Sequence, residues 1–179
     1  AEADTLIGGD GNDLMLGGEG ADLIDGGTGW DFVAYTGGSE ALILDLGAQG
    51  ANAGAAAGDV LLGIEEVWGT ALGDRMTGDA LANVFRGEAG SDWLSGGLGN
   101  DALYGGDGND TLGGGADADY LNGAAGNDKL WADVGNDILV GGLGDDELGA
   151  GDGGDYAAGD LGNDTIYGEA GNDSLSGGD

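Results

Sequence analysis

From Asp74 onward a carboxylate, once replaced by its amide, recurs every nine residues without a slip. The positions are Asp74, Asn83, Asp92, Asp101, Asp110, Asp119, Asp128, Asp137, Asp146, Asp155, Asp164 and Asp173. Two residues after each stands a mostly apolar side chain, from Met76, Phe85 and Leu94 through Leu103, Leu112 and Leu121 to Ile166 and Leu175. A shorter array opens the chain in the same grammar, with Asp4, Asp13, Asp22 and Asp31 leading to Leu6, Met15, Ile24 and Val33. A fixed short period of this kind marks stacked repeats, each of which buries its apolar face against its neighbours.

The cleanest repeat reads Gly105-Gly106-Asp107-Gly108-Asn109-Asp110-Thr111-Leu112-Gly113. Its first six residues, Gly-Gly-x-Gly-x-Asp, form a turn in which positive φ angles and close backbone approach favour glycine. The last three form a short strand whose middle residue points inward and whose neighbours point outward, as alternation along a strand requires. Two such units close one 18-residue coil, and stacked coils give two parallel sheets with turns along both edges. The expected fold is all-β, a right-handed parallel β-roll.

Charge then becomes the problem. The 179 residues include 46 Gly, 35 acidic residues and only three basic ones, Arg75, Arg86 and Lys129, for a net charge of −32. Such an excess ordinarily keeps a chain open, so the regular array implies an external cation. Gly-Asn-Asp clusters are also ordinary turn signals, which a metal-free solenoid would use equally well. Against that reading, stacked carboxylates about 5 Å apart would repel one another.

These residues resemble the repeats-in-toxin (RTX) nonapeptide G-G-x-G-x-D-x-U-x over residues 4–34 and 74–179. The resemblance implies calcium ions held between turn n and turn n+2 on one edge, by backbone carbonyls and the sixth-position side chains. The implied ligands are the sixteen residues Asp4, Asp13, Asp22, Asp31, Asp74, Asn83, Asp92, Asp101, Asp110, Asp119, Asp128, Asp137, Asp146, Asp155, Asp164 and Asp173. All-oxygen ligation suits Ca²⁺, and same-edge pairs would hold about ten to twelve ions. Asp10-Gly11-Asn12-Asp13 looks like an EF-hand start, but no Glu stands at the twelfth loop position.

The rhythm breaks between Asp31 and Asp74. Three segments of one continuous solenoid are expected: a short array at 1–34, irregular connector coils at 35–73 and a long array at 74–179. Within the connector Leu42 lies nine after Val33 and Val67 nine before Met76, with Glu40 and Glu65 in the liganding places. The Gly/Ala-rich stretch 47–58 is expected to loop out.

With no His and no Cys, the common nucleophile–base arrangements cannot be built, and the chain is not expected to be an enzyme. Nucleic acid is excluded as a partner for want of clustered Lys and Arg, and no apolar run is long enough for a transmembrane helix. The resemblance implies a secreted protein that folds outside the cell, where calcium is plentiful, after type I secretion. Two roles stay open. One is an extracellular structural subunit of a filament, matrix or surface layer, joining head to tail through residues 1–9 and 173–179. The other is a calcium-folding and secretion module of a larger enzyme, toxin or adhesin.

Overall fold

A computed structural model describes residues 2–179; residue 1, within the segment expected to self-associate, lies outside them. The first array forms β1 (Thr5–Asp10), β2 (Leu14–Met15), β3 (Leu23–Thr28) and β4 (Phe32–Ala34). The connector forms β5 (Leu42–Asp45), a 3-10 turn (Gln49–Ala51), β6 (Ala53–Gly54), β7 (Val60–Leu62) and β8 (Glu66–Trp68). The long array begins with β9 (Arg75–Thr77), β10 (Val84–Ala89), β11 (Trp93–Leu98), β12 (Ala102–Asp107), β13 (Thr111–Ala116) and β14 (Tyr120–Ala125). It continues with β15 (Lys129–Gly135), β16 (Ile138–Leu143), β17 (Glu147–Gly149), β18 (Asp152–Gly153), β19 (Tyr156–Leu161), β20 (Thr165–Tyr167), β21 (Ala170–Gly171) and β22 (Ser174–Ser176).

Strands of successive coils pair in parallel at a spacing of 18 residues, as in Leu94 with Leu112 and Leu103 with Leu121. Alternate repeats therefore enter opposite sheets. One sheet runs β2-β4-β8-β10-β12-β14-β16-β19-β22, and the facing side carries β9-β11-β13-β15-β17-β20. The fold is an all-β parallel β-solenoid. Its core is a single file of inward side chains, including Leu94, Leu103, Leu112, Leu121, Leu130 and Leu139, each fully buried. Two large side chains per coil make a thin core for 18 ordered residues, each of which costs backbone entropy to fix.

The long-array strands commonly run six residues rather than the expected three. In β11, Trp93 and Ser95 face outward, Leu94 and Gly96 face inward, and the ladder continues through Gly97, paired with Gly115. Strand geometry persists into the next repeat because its first glycine has no side chain to place. The inward space beside Gly96 is taken by the Asp101 carboxylate.

On one side the connector maintains the solenoid without a gap, Val33 pairing with Val67 and Val67 with Phe85. On the other, β3 pairs with β7 and β5 pairs with β9, and the antiparallel hairpin of β5 and β6 belongs to the latter sheet. Two connector expectations are corrected. Residues 47–58 do not simply loop out: they form the 3-10 turn and β6, and Ala56 is fully buried. Leu42 is buried, and Leu44, also on the inner face of β5, stands in register with Met76. Glu40 lies exposed, away from any liganding place.

Outward side chains stack in rows along the solenoid. Phe32 and Trp68 stack at 5.7 Å between ring centroids and Tyr104 and Tyr120 at 5.5 Å, with Arg86 over Tyr104 at 4.6 Å. The three cations are engaged locally. Arg86 pairs with Glu66 at 2.9 Å, Lys129 with Glu147 at 3.5 Å, and Arg75 lies 3.6 Å over the Trp93 ring. Three such contacts leave the acidic excess almost untouched.

Candidate metal centre

Every repeat delivers its sixth residue to one of two edges. On one edge Asp4, Asp22 and Asp59 stack, followed by Asp74, Asp92, Asp110, Asp128, Asp146 and Asp164. On the other Asp13, Asp31 and Glu65 stack, followed by Asn83, Asp101, Asp119, Asp137, Asp155 and Asp173. All sixteen expected residues thus lie on the two edges, 18 residues apart within each regular array.

The stacking follows one rule. The Oδ1 of each carboxylate accepts the backbone N–H of its counterpart one coil earlier, as Asp110 Oδ1 does from Asp92 at 2.8 Å. The second oxygen is left bare. Twelve Oδ2 atoms, on Asp13, Asp22, Asp31, Asp92, Asp101, Asp110, Asp119, Asp128, Asp137, Asp146, Asp155 and Asp164, are buried with no hydrogen-bond partner. A buried anionic oxygen without a partner is costly, and here it recurs at every regular coil.

Backbone carbonyl oxygens stand close to several of these atoms. Beside Gly105, the space a Cβ would fill is bordered by Asp110 Oδ2 and by the carbonyl oxygen of Gly123 in the next coil. The same cradle recurs at Gly87, Gly123 and Gly141, each time with its own turn's carboxylate and the next coil's carbonyl. Gly108 is needed for a second reason: it has φ +143°, and a Cβ there would collide with the Gly90 carbonyl. Among the described residues no three carboxylate, imidazole or thiol groups cluster by themselves. Side chains alone therefore make no centre, and carbonyl oxygens must supply the remaining donors. That donor chemistry fits a hard cation taking six to eight oxygens.

An independent comparison decides the family. The model of the RTX calcium-binding nonapeptide repeat matches the chain in four copies, at residues 1–39, 68–112, 113–148 and 149–179. The chain belongs to the RTX calcium-binding repeat family. No curated protein matches it as a relative. Calcium held by such repeats would supply the positive charge that the bare Oδ2 atoms lack; the chain supplies the ladder holding each carboxylate and the stacking register.

Asp59 and Glu65 were the connector's contributions to these edges. Glu65 Oε2 accepts the Asp31 N–H at 2.8 Å, in the place expected for it. Asp59 was missed: its Oδ1 accepts the Asp22 N–H at 2.9 Å. The signal was present, because Asp59-Val60-Leu61 repeats the carboxylate-x-apolar grammar. A count of nines hides it, since 37 residues separate it from Asp22.

Without metal, burial makes these carboxylates weak acids. Desolvation pushes Asp92 and Asp119 up to about 7 and Asp101, Asp128 and Asp137 up to about 6, and it raises Asp110 and Asp146 as well. The ladder N–H bonds oppose the rise, and carboxylates on adjacent coils add to it, Asp110 and Asp74 at Asp92. The folded values lie above the ordinary 3.8, so the metal-free fold binds more protons than the unfolded chain. Stability of that form is therefore fullest below about 4 and is lost as pH rises through about 6 to 7. Acidifying the calcium-free chain from neutral pH to about 4.5 should increase its β signal in far-UV circular dichroism. A flat signal across that window would contradict the assignment of the buried carboxylates.

Proposed function

We propose that the chain is an extracellular structural β-roll that folds on calcium after export and stacks end to end. The observation that carries the reading is the recurrence of bare, buried carboxylate oxygens at twelve positions on the two edges, several of them beside a carbonyl of the next coil. A polyanion of this charge compacts only with cations between its coils, so folding and ion binding become one equilibrium. Extracellular calcium modules bind at about 10⁻⁴–10⁻³ M, which keeps such a chain unfolded inside a cell and folded outside. Fifteen of the sixteen repeat positions serve as ligands in this reading, Asp74 being taken up by Thr70 and Leu42, with about ten to twelve ions per chain, and no catalytic role is assigned.

Stacking is supported by the two ends of the solenoid. Among the described residues the outer edge of β22 has no partner strand, and Leu175 on it is half exposed. At the opposite end β1 and β2 are likewise the last strands of their sheets, with Ile7, Leu14 and Leu16 exposed. An open strand edge is a template for another strand. Setting β20 and β22 of one copy against β1 and β2 of the next would continue both ladders, Asp164 to Asp4 and Asp173 to Asp13. Such a contact does not close on itself and propagates. Further coils of a longer chain would cover the same edges, which is the secretion-module reading. Sedimentation of the calcium-loaded protein distinguishes them. Growth beyond monomer that is lost on deleting residues 1–7 supports stacking, whereas a folded monomer at high concentration leaves the module reading.

A further inference from the structure

Two buried carboxylates on the edges depart from the rule of the bare oxygen, Asp59 within the connector and Asp74 directly after it. Asp59 is 1% exposed, yet its Oδ2 accepts the Tyr35 hydroxyl at 2.9 Å while Oδ1 takes the Asp22 N–H. Asp74 is 3% exposed, and its Oδ2 accepts the Thr70 N–H at 2.6 Å. Its Oδ1 accepts both the Thr70 hydroxyl and the Leu42 N–H, each at 2.7 Å. Where the arrays leave an oxygen bare, the connector brings a protein donor to it. The next position on the other edge is Asn83, the one neutral member of the long series, and its Oδ1 accepts the Asp79 N–H at 2.9 Å.

The same stretch carries the densest apolar packing. Tyr35, Leu42, Leu44, Leu61, Ile64 and Val67 are all buried within residues 35–67, whereas each regular coil buries two large side chains. Side-chain amides tie its halves together as well. Gln49 accepts the Leu61 N–H at 2.9 Å, and Asn52 donates to the Asp59 carbonyl at 3.0 Å and accepts the Asp45 N–H at 2.9 Å. The hydroxyl of Tyr35 stays protonated, because burial and the Asp59 charge push it far above the usual phenol range.

We infer that the connector is a calcium-independent clasp: Tyr35 and Thr70 take the ion's place at Asp59 and Asp74, so these positions bind no calcium and the segment is folded before the arrays are. A hydroxyl or amide donor satisfies the second carboxylate oxygen without adding a ligand, and the larger core supplies the burial that a regular coil lacks. The clasp then presents β7 and β8 to the first array and β5 and β8 to the long array, giving each a preformed strand on which its first calcium-bound coil is laid. The inference rests on the reading that the arrays themselves need calcium.

Hydrogen exchange in excess chelator separates the outcomes. Amides of the connector, Leu42, Leu46 and Tyr35 among them, should exchange at least about tenfold more slowly than an unfolded chain, while amides of residues 84–179 exchange freely. No protection in the connector would overturn the clasp and leave calcium folding intact. Protection throughout the arrays would instead overturn calcium folding itself. Tyr35→Phe should abolish the chelator-resistant protection yet leave a protein that folds in millimolar calcium. Bound calcium, counted by equilibrium dialysis, gives a second readout. Asp59→Asn should leave the number of ions per chain unchanged and Asp110→Asn should lower it; a lower count with Asp59→Asn would overturn calcium exclusion at that position.

Discussion

Excess chelator is expected to remove most of the β spectrum of this protein, and added Ca²⁺ to restore it. The net charge is −32, and only three cations exist, each already engaged by a neighbouring side chain. At twelve positions the fold buries a carboxylate oxygen with nothing to bond to. Each such atom carries a desolvation cost, and stacked carboxylates add repulsion that a low local dielectric strengthens. A core of two large side chains per coil cannot offset this. Far-UV circular dichroism during a calcium titration gives the measurement, with a steep transition expected because each coil is the template for the next. The residual signal in chelator should correspond to the connector alone. A full β spectrum that survives excess EGTA would mean that the bare oxygens are tolerated, and the account of folding would be wrong.

The second large effect separates an interior ladder position from a terminal one. Asp110→Ala should raise the calcium midpoint of folding far more than Asp173→Ala. Asp110 accepts the Asp92 N–H, donates its own N–H to Asp128 and offers Oδ2 to the cradle beside Gly105. Its loss strands the buried Asp92 N–H, at about 1–3 kcal/mol, and weakens the ion intervals on both sides. Asp173 accepts only from Asp155, at 3.1 Å, and sits half buried in the final coil. Since 1.4 kcal/mol corresponds to a factor of ten in an equilibrium constant, the interior substitution should weaken the folding equilibrium by roughly tenfold at a fixed calcium concentration and the terminal one by only a fraction of that. Equal midpoints would mean that calcium is not shared between coils 18 residues apart, or that a second copy completes the final coil.

Much of this was legible in the residues because the repeat is local and strict. A carboxylate every nine residues, followed two later by an apolar side chain, leaves one way to alternate inward and outward positions. The 18-residue pairing of Leu94 with Leu112 follows from it. The contact of Arg75 with Trp93 follows as well, since the two are partners in register, whereas Tyr104 meets Tyr120 diagonally across the ladder. Strand length was misread because glycine is usually a turn residue. Here the inward position of Gly96 is left empty for a carboxylate, which a propensity cannot reveal.

By itself, then, the sequence determined the all-β solenoid, its two edges and the oxygen-only chemistry of the regular coils, because each nonapeptide repeats the same local instruction and errors cannot accumulate. The connector was decided only by tertiary structure. Asp59 reaches the edge after a 37-residue excursion, and residues 47–58 fold back as β6 instead of standing clear. Leu44 takes the register with Met76 at a separation that is no multiple of nine. The contact between Tyr35 and Asp59 spans 24 residues that obey no period. Such contacts depend on where two separately routed segments meet in space, and nothing in the spacing along the chain encodes that meeting.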